Sequence, residues 1–233
     1  RLAATLGKGA GSRLLAIGAH GSRLEKIAQE RRFAAFIPQP TEVGERFAVH
    51  GPTGMLPAVW LGLDTDRLLA TAELAEDAAA NHPATELAAL LGAVAENGWA
   101  RLALSPSPAV RPLAVWVEQL LAGATGKDGR GIVPLYVPSP PAPERALAHT
   151  FFLSPRFEGE DTSDLDASLD ALAAAGHPVV RWTLRRPDLG GAFATLELAA
   201  ALAALLLGVN PFVDTAPRAR PRTAARPSSR RLP

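Results

Sequence analysis

The chain has no cysteine, and only one methionine and one tyrosine among its 233 residues. Without a thiol it has no disulfide scaffold, no thiolate metal site and no cysteine nucleophile. A cysteine-free chain suits a reducing compartment, and the cytoplasm is the expected location. Aromatic residues make up 6% of the total, so the core has to be built from aliphatic side chains. There are three lysines, Lys8, Lys26 and Lys127. The remaining cations are arginines, which hold charge well but do not give up a proton. Five histidines are scattered singly, with no two at ligand spacing, and no metal site is expected. The Gly126–Gly131 turn (GKDGRG) carries its lysine between the glycines, unlike a phosphate-binding loop. No cofactor is expected either.

What is present is apolar and unevenly charged. Hydrophobic residues reach 48% against 20% charged, enough to bury a large core. From Ala216 to Pro233 there are six arginines and no acid, which leaves 18 basic against 23 acidic residues in the body, a net charge of −5. A body of that sign has no global field for nucleic acid. The tail (213–233), with its prolines and arginines, reads as disordered. The chain begins with Arg1 rather than Met and opens on no charged-then-apolar signal, so it reads as a fragment or a processed product.

Strand and helix patterns alternate. Arg13–Ala19 is a short apolar run, Ser22 caps a helical stretch over Arg23–Glu30, and Phe33–Ile37 follows as a second strand. That order is a βαβ unit with a right-handed crossover. Helical spacing covers Thr53–Leu63, Thr65–Ala80 and Ala84–Asn97. The strand Ala100–Leu104, a helix over Val110–Ala122 and the strand Ile132–Val137 come next. Then follow the strand Thr150–Leu153, a helix over Ser163–Ala175 capped by Ser163 or Asp164 and closed by Gly176, the strand Pro178–Leu184 and a helix over Ala192–Val209. This last helix has 18 residues and contains Glu197. A span needs about 20 apolar residues, so it reads as a core helix and not as a membrane segment. The expected class is α/β, a parallel sheet between helices in three layers, with Arg13–Ala19, Ala100–Leu104, Ile132–Val137 and Pro178–Leu184 in one sheet.

Four segments, in order, resemble glucose-6-phosphate isomerase, in particular the bacterial form found alone or fused behind transaldolase. They are Pro40–Val49 (PTEVGERFAV), Trp116–Gly131 (WVEQLLAGATGKDGRG), Ala174–Val180 (AAGHPVV) and Gly208–Phe212 (GVNPF). The resemblance runs from about Leu14 to Phe212. It implies flavodoxin-like sugar isomerase (SIS) domains. Residues 1–98 would be the end of a first SIS domain with the inter-domain helices, 99–212 the second SIS domain, and 213–233 the basic tail. It also implies a glycolytic and gluconeogenic role with sugar phosphate as ligand, and either a homodimer or a missing N-terminal half as partner.

Aldose–ketose isomerisation needs a base to shuttle a proton between two carbons, a cation to hold the enediolate oxygen, an acid to open the ring, and a phosphate cradle for positioning. The resemblance places Arg46 as the cation, with Gly44 beside it and Glu45 and Ala48 replacing family Gly and Ser. It makes Gln119 a hydroxyl-binding amide, four residues and so one helical turn before position 123. The family's proton-transfer Glu falls on Gly123, which has no side chain. Glu118 lies on the wrong side of the helix and Asp128 lies beyond the turn. The family's Lys after N-P-F has no counterpart, and the phosphate cradle belongs to the half not present. His149 is the candidate ring-opening acid, while His177 reads as structural. Three readings follow: an isomerase-family chain with activity impaired, a non-catalytic module that binds sugar phosphate or a partner chain, and a decayed fragment.

Overall fold

The computed structural model describes residues 7, 9–41, 44–76, 82–185 and 188–213; the basic tail expected to be disordered and the last turn of the helix expected over Thr65–Ala80 lie outside them. Strands β1 (Leu15–Gly18) and β2 (Ala35–Pro38) flank helix α1 (Arg23–Glu30) and pair in parallel, Leu15 with Ala35 and Gly18 with Pro38. The Ser22 hydroxyl caps α1, accepting from the Glu25 amide at 3.3 Å. A 3-10 turn (Glu45–Phe47) leads into α2 (Pro52–Trp60), α3 (Thr65–Glu76) and α4 (Pro83–Glu96).

The second sheet holds β3 (Arg101–Leu104), β4 (Val133–Tyr136), β5 (Thr150–Phe157) and β6 (Val179–Leu184), all parallel, in the order β4-β3-β5-β6. Helix α5 (Arg111–Thr125) joins β3 to β4, α6 (Ser163–Ala174) joins β5 to β6, and α7 (Leu189–Leu206) follows β6. The two crossovers run in opposite directions along the sheet. Right-handed connection therefore puts α5 and α6 on opposite faces. Alternation along the strands agrees. Leu102, Leu104, Phe151 and Leu153 pack with α4, α5 and α7, while Ala103 and Phe152 pack with Leu169 and Leu172 of α6. These are the three layers read from the sequence.

Several expectations are corrected. β1 does not join the main sheet but pairs with β2 alone. β5 runs on past Leu153 through Pro155. The N–H that proline lacks would face the β3 side beyond Leu104, where β3 has already ended, so no ladder bond is lost. Helix α7 begins three residues earlier than expected and takes in Gly190 and Gly191. A Cβ on Gly190 would overlap the Leu68 carbonyl oxygen of α3, so the glycine pair lets the two helices approach closely. The apolar character of α7 is that of a core helix: Ala199, Ala200, Ala203 and Ala204 are all buried.

Helix α6 starts without the serine or aspartate cap expected of it. The Thr162 hydroxyl at its cap position instead donates to Asp166 at 2.7 Å and accepts from Arg156 at 2.8 Å. Arg156, itself buried, donates to Asp166 at 2.7 Å, and Arg181 adds a bond at 2.9 Å and a second ion pair to Asp170. Burial pushes the Asp166 carboxyl up, but hydrogen bonds from Arg156, Thr162 and Arg181 outweigh it and hold the group well below the usual carboxylate range. A depressed carboxyl contributes stability above its unfolded value of about 3.9 and loses that contribution as pH falls below it. Asp166→Asn leaves the Arg156 guanidinium buried without its counter-charge, and should cost about 3 kcal/mol at pH 7. Urea unfolding at pH 7 and pH 3 is the check: the difference between variant and parent should shrink at the lower pH, and an equal difference at both would mean the ion pair contributes nothing.

Candidate functional site

Three of the four family-like segments meet at one place. Helix α5 returns antiparallel to the strands, so its last turn, with Gly123, lies at the amino-terminal edge of the main sheet. The end of α7 and the Gly208–Phe212 segment arrive at the same edge. The 3-10 turn of the first segment lies across both. Arg46 runs over Gly123 so closely that a Cβ on residue 123 would overlap its Nε and Cδ atoms and lie 3.2 Å from Cζ. Only glycine gives the guanidinium that seat. Gly44, which opens the turn, faces Arg46 Nη1 and the Phe212 carbonyl, each 3.9 Å from where its Cβ would be. Phe47 packs on Phe212 with ring centroids 5.1 Å apart.

The turn after α5 is tied to the same segment. Lys127 is buried, and its ammonium donates to the Asn210 carbonyl. Arg130 donates to the Leu207 carbonyl at 3.3 Å. The Asn210 side chain folds back to accept from the Phe212 amide at 2.9 Å. Thr125 holds the turn on its helix, donating to the Leu121 carbonyl at 2.8 Å and accepting from the Ile132 amide at 3.0 Å. A cleft of about 410 Å³ opens beside this turn, between Gly129–Gly131 and Leu206–Gly208.

Gln119 is exposed on α5 one turn before Gly123, on the face that Arg46 crosses. Glu118 is half-buried and Asp128 is exposed. The third family-like segment enters β6 at the same sheet edge. His177 binds the Thr150 carbonyl at 2.7 Å and meets Phe152 and Trp99 edge-on, which is a packing role. His149 is exposed, sits in the left-handed region with φ 56°, and its ring meets that of Trp99 edge-on at 5.5 Å, so the candidate ring-opening acid lies beside the His177 cluster. No group of acids and histidines able to hold a metal occurs among the described residues.

Sequence reasoning passes over two features. It counts Lys127 without giving it a role, although a buried lysine needs an acceptor. It marks Glu197 as the single charge in an apolar helix, but not its partner. That partner is His50, whose Nδ1 lies 3.3 Å from Glu197 Oε2.

No protein-family model matches the chain. Among curated proteins, the glucose-6-phosphate isomerase of Rubrobacter xylanophilus is 32% identical over 232 aligned positions, covering 81% of this chain and 54% of that protein. This chain is a relative of the glucose-6-phosphate isomerases. The isomerase of Symbiobacterium thermophilum is also 32% identical, over 117 positions covering 48% of the chain and 26% of the relative. The chain thus spans about half, or less, of the curated relatives it matches. Among solved structures, a hypothetical protein from Thermus thermophilus superposes with TM-score 0.76 at 22% identity, covering 91% of this chain and 62% of that one. The Chlamydia trachomatis glucose-6-phosphate isomerase superposes with TM-score 0.67 at 14% identity, covering 91% of this chain and 52% of that one. At those identities the two structures speak for the fold.

Proposed function

We propose that this chain carries the cation-bearing part of a glucose-6-phosphate isomerase site and binds sugar phosphate there, with proton transfer impaired. Residues 1–98 would be the end of a first SIS domain with the inter-domain helices, and 99–212 the second SIS domain. Arg46 is the group that stabilises negative charge on the sugar's C1 and C2 oxygens. Gly44 allows the sugar to approach the turn, and Gln119 hydrogen-bonds a hydroxyl. The reaction is aldose–ketose interconversion of glucose 6-phosphate and fructose 6-phosphate, as in glycolysis and gluconeogenesis, in the cytoplasm. The phosphate cradle would come from a partner segment, either an N-terminal half or a second subunit. The observation that carries this reading is Arg46 lying across position 123, beside Gly44 and the Gly208–Phe212 segment.

Calorimetric titration of the full chain with fructose 6-phosphate tests it. Arg46→Ala should weaken binding about tenfold or more, the loss of one charge-assisted contact. Equal affinity of parent and variant would refute the assignment of Arg46. A second reading, a module that binds a partner chain without sugar phosphate, draws on one observation: Val59, Trp60, Leu61 and Leu63, at and just after the end of α2, are exposed. Absence of any fructose 6-phosphate binding would favour it.

A further inference from the structure

His50 follows Arg46 by four residues and is largely buried. Its Nδ1 faces Glu197 Oε2 at 3.3 Å and its Nε2 faces the Gly190 carbonyl at 3.2 Å. A carbonyl oxygen and an ionised carboxylate only accept hydrogen bonds. A neutral imidazole donates from one nitrogen and accepts at the other, so it satisfies one of these partners and presents a lone pair to the other. An imidazolium donates to both. The neighbouring Val49 amide donates to the second Glu197 oxygen at 3.5 Å. Glu197 therefore grips two consecutive residues of the segment that carries Arg46. The ring also meets Phe193 at 6.3 Å, and Phe193 meets Trp116 of α5 at 5.0 Å, two helical turns before Gly123. Glu197 on α7 is a charged group in direct contact with the ring.

We infer that His50 is a positioning residue: as an imidazolium between Glu197 and the Gly190 carbonyl, it fastens the Arg46 turn to α7 and seats the guanidinium over Gly123, so that deprotonation of His50 loosens the seat. The ligand arm of the test rests on the sugar-phosphate reading above; the structural arm does not. The contribution is present while the ring is charged and is lost as pH rises and the ring deprotonates.

The test uses the full chain labelled with ¹⁵N. At pH 6 both ring nitrogens of His50 should carry protons, and the Arg46 Nε–H signal should be resolved. Raising the pH to 8.5 should move the Arg46 signal in step with the His50 titration. His50→Gln keeps a donor but no charge, and His50→Leu keeps neither; both should fix the Arg46 signal near its high-pH position while the remaining spectrum stays folded. Fructose 6-phosphate affinity, corrected for titration of its own phosphate by comparison with His50→Gln, should fall about fivefold between pH 6 and 8.5 in the parent, the equivalent of one net hydrogen bond. An Arg46 signal that ignores both His50 titration and His50→Leu overturns the inference. An Arg46 signal that follows His50 with no fructose 6-phosphate binding at any pH upholds the clamp and refutes the sugar-phosphate reading.

Discussion

Supplied with fructose 6-phosphate and an N-terminal half in trans, this chain should form glucose 6-phosphate about 10²–10⁴-fold more slowly than the Rubrobacter xylanophilus relative, the usual contribution of a positioned proton-transfer group. The reason is local. Position 123 is glycine, Glu118 points elsewhere on α5, and Asp128 is exposed beyond the helix. Restoring a carboxylate by Gly123→Glu has a steric consequence that the sequence alone does not show, because the new Cβ would overlap Arg46 Nε and Cδ. Arg46 must lift off, and an ionised Glu beside it would then draw the guanidinium into an ion pair. Gly123→Glu, with an N-terminal half supplied in trans, should raise turnover at least tenfold over the parent. Gly123→Ala, which displaces Arg46 equally but adds no base, should not. A coupled dehydrogenase assay for glucose 6-phosphate reads all three proteins. If the parent already matches the relative, position 123 is not where the base acts, and Glu118 and Asp128 are the next residues to replace.

The second large effect is on stability. Gly190→Ala puts a methyl into the Leu68 carbonyl oxygen and near the Thr71 hydroxyl. A backbone carbonyl within a helix does not swing aside as a side chain does, so α3 and α7 must separate. Overpacking of that kind costs about 3 kcal/mol, which for a chain of this size lowers the melting temperature by roughly 10 °C. Alanine has the better helix propensity by about 1 kcal/mol, so an isolated helix would respond in the opposite direction. Thermal unfolding of Gly190→Ala therefore separates the two effects cleanly. A melting temperature at or above the parent's would mean that the helix contact is not what that glycine serves.

Much of this architecture was legible because local signals and tertiary needs agreed. Ser22 before a helical run, and apolar strands alternating with amphipathic helices, led to the parallel three-layer class and to α1 with its correct ends. The misplacements have physical causes. Gly190 and Gly191 look like residues preceding a helix until the close approach of α3 is known. Pro155 looks like a strand stop until β3 is known to end at Leu104. Thr162 escapes notice as the cap position because its hydroxyl serves Arg156 and Asp166 instead of the helix amides. At the candidate site, each segment could be recognised, but the contact between them could not. His50 and Glu197 are 147 residues apart, and no periodicity links an isolated histidine to an acid at that distance. The lone charge in α7 was the one available hint that some donor had to arrive there.

The order β4-β3-β5-β6 also bears on how the protein emerges during synthesis. β3 lies inside the main sheet, yet both its neighbours come later in the chain, since Arg101 pairs with Val133 and with Thr150. At ordinary elongation rates the ribosome needs roughly 3–10 s to deliver the residues between β3 and β5. Throughout that interval the backbone edge that β5 will cover stays open, and Leu102 and Leu104, fully buried in the finished protein, have only α4 and α5 to shelter against. Those two helices flank β3 in sequence and pack on the face to which both leucines point. The nascent chain therefore has a cover for its stickiest strand before that strand has a full set of partners.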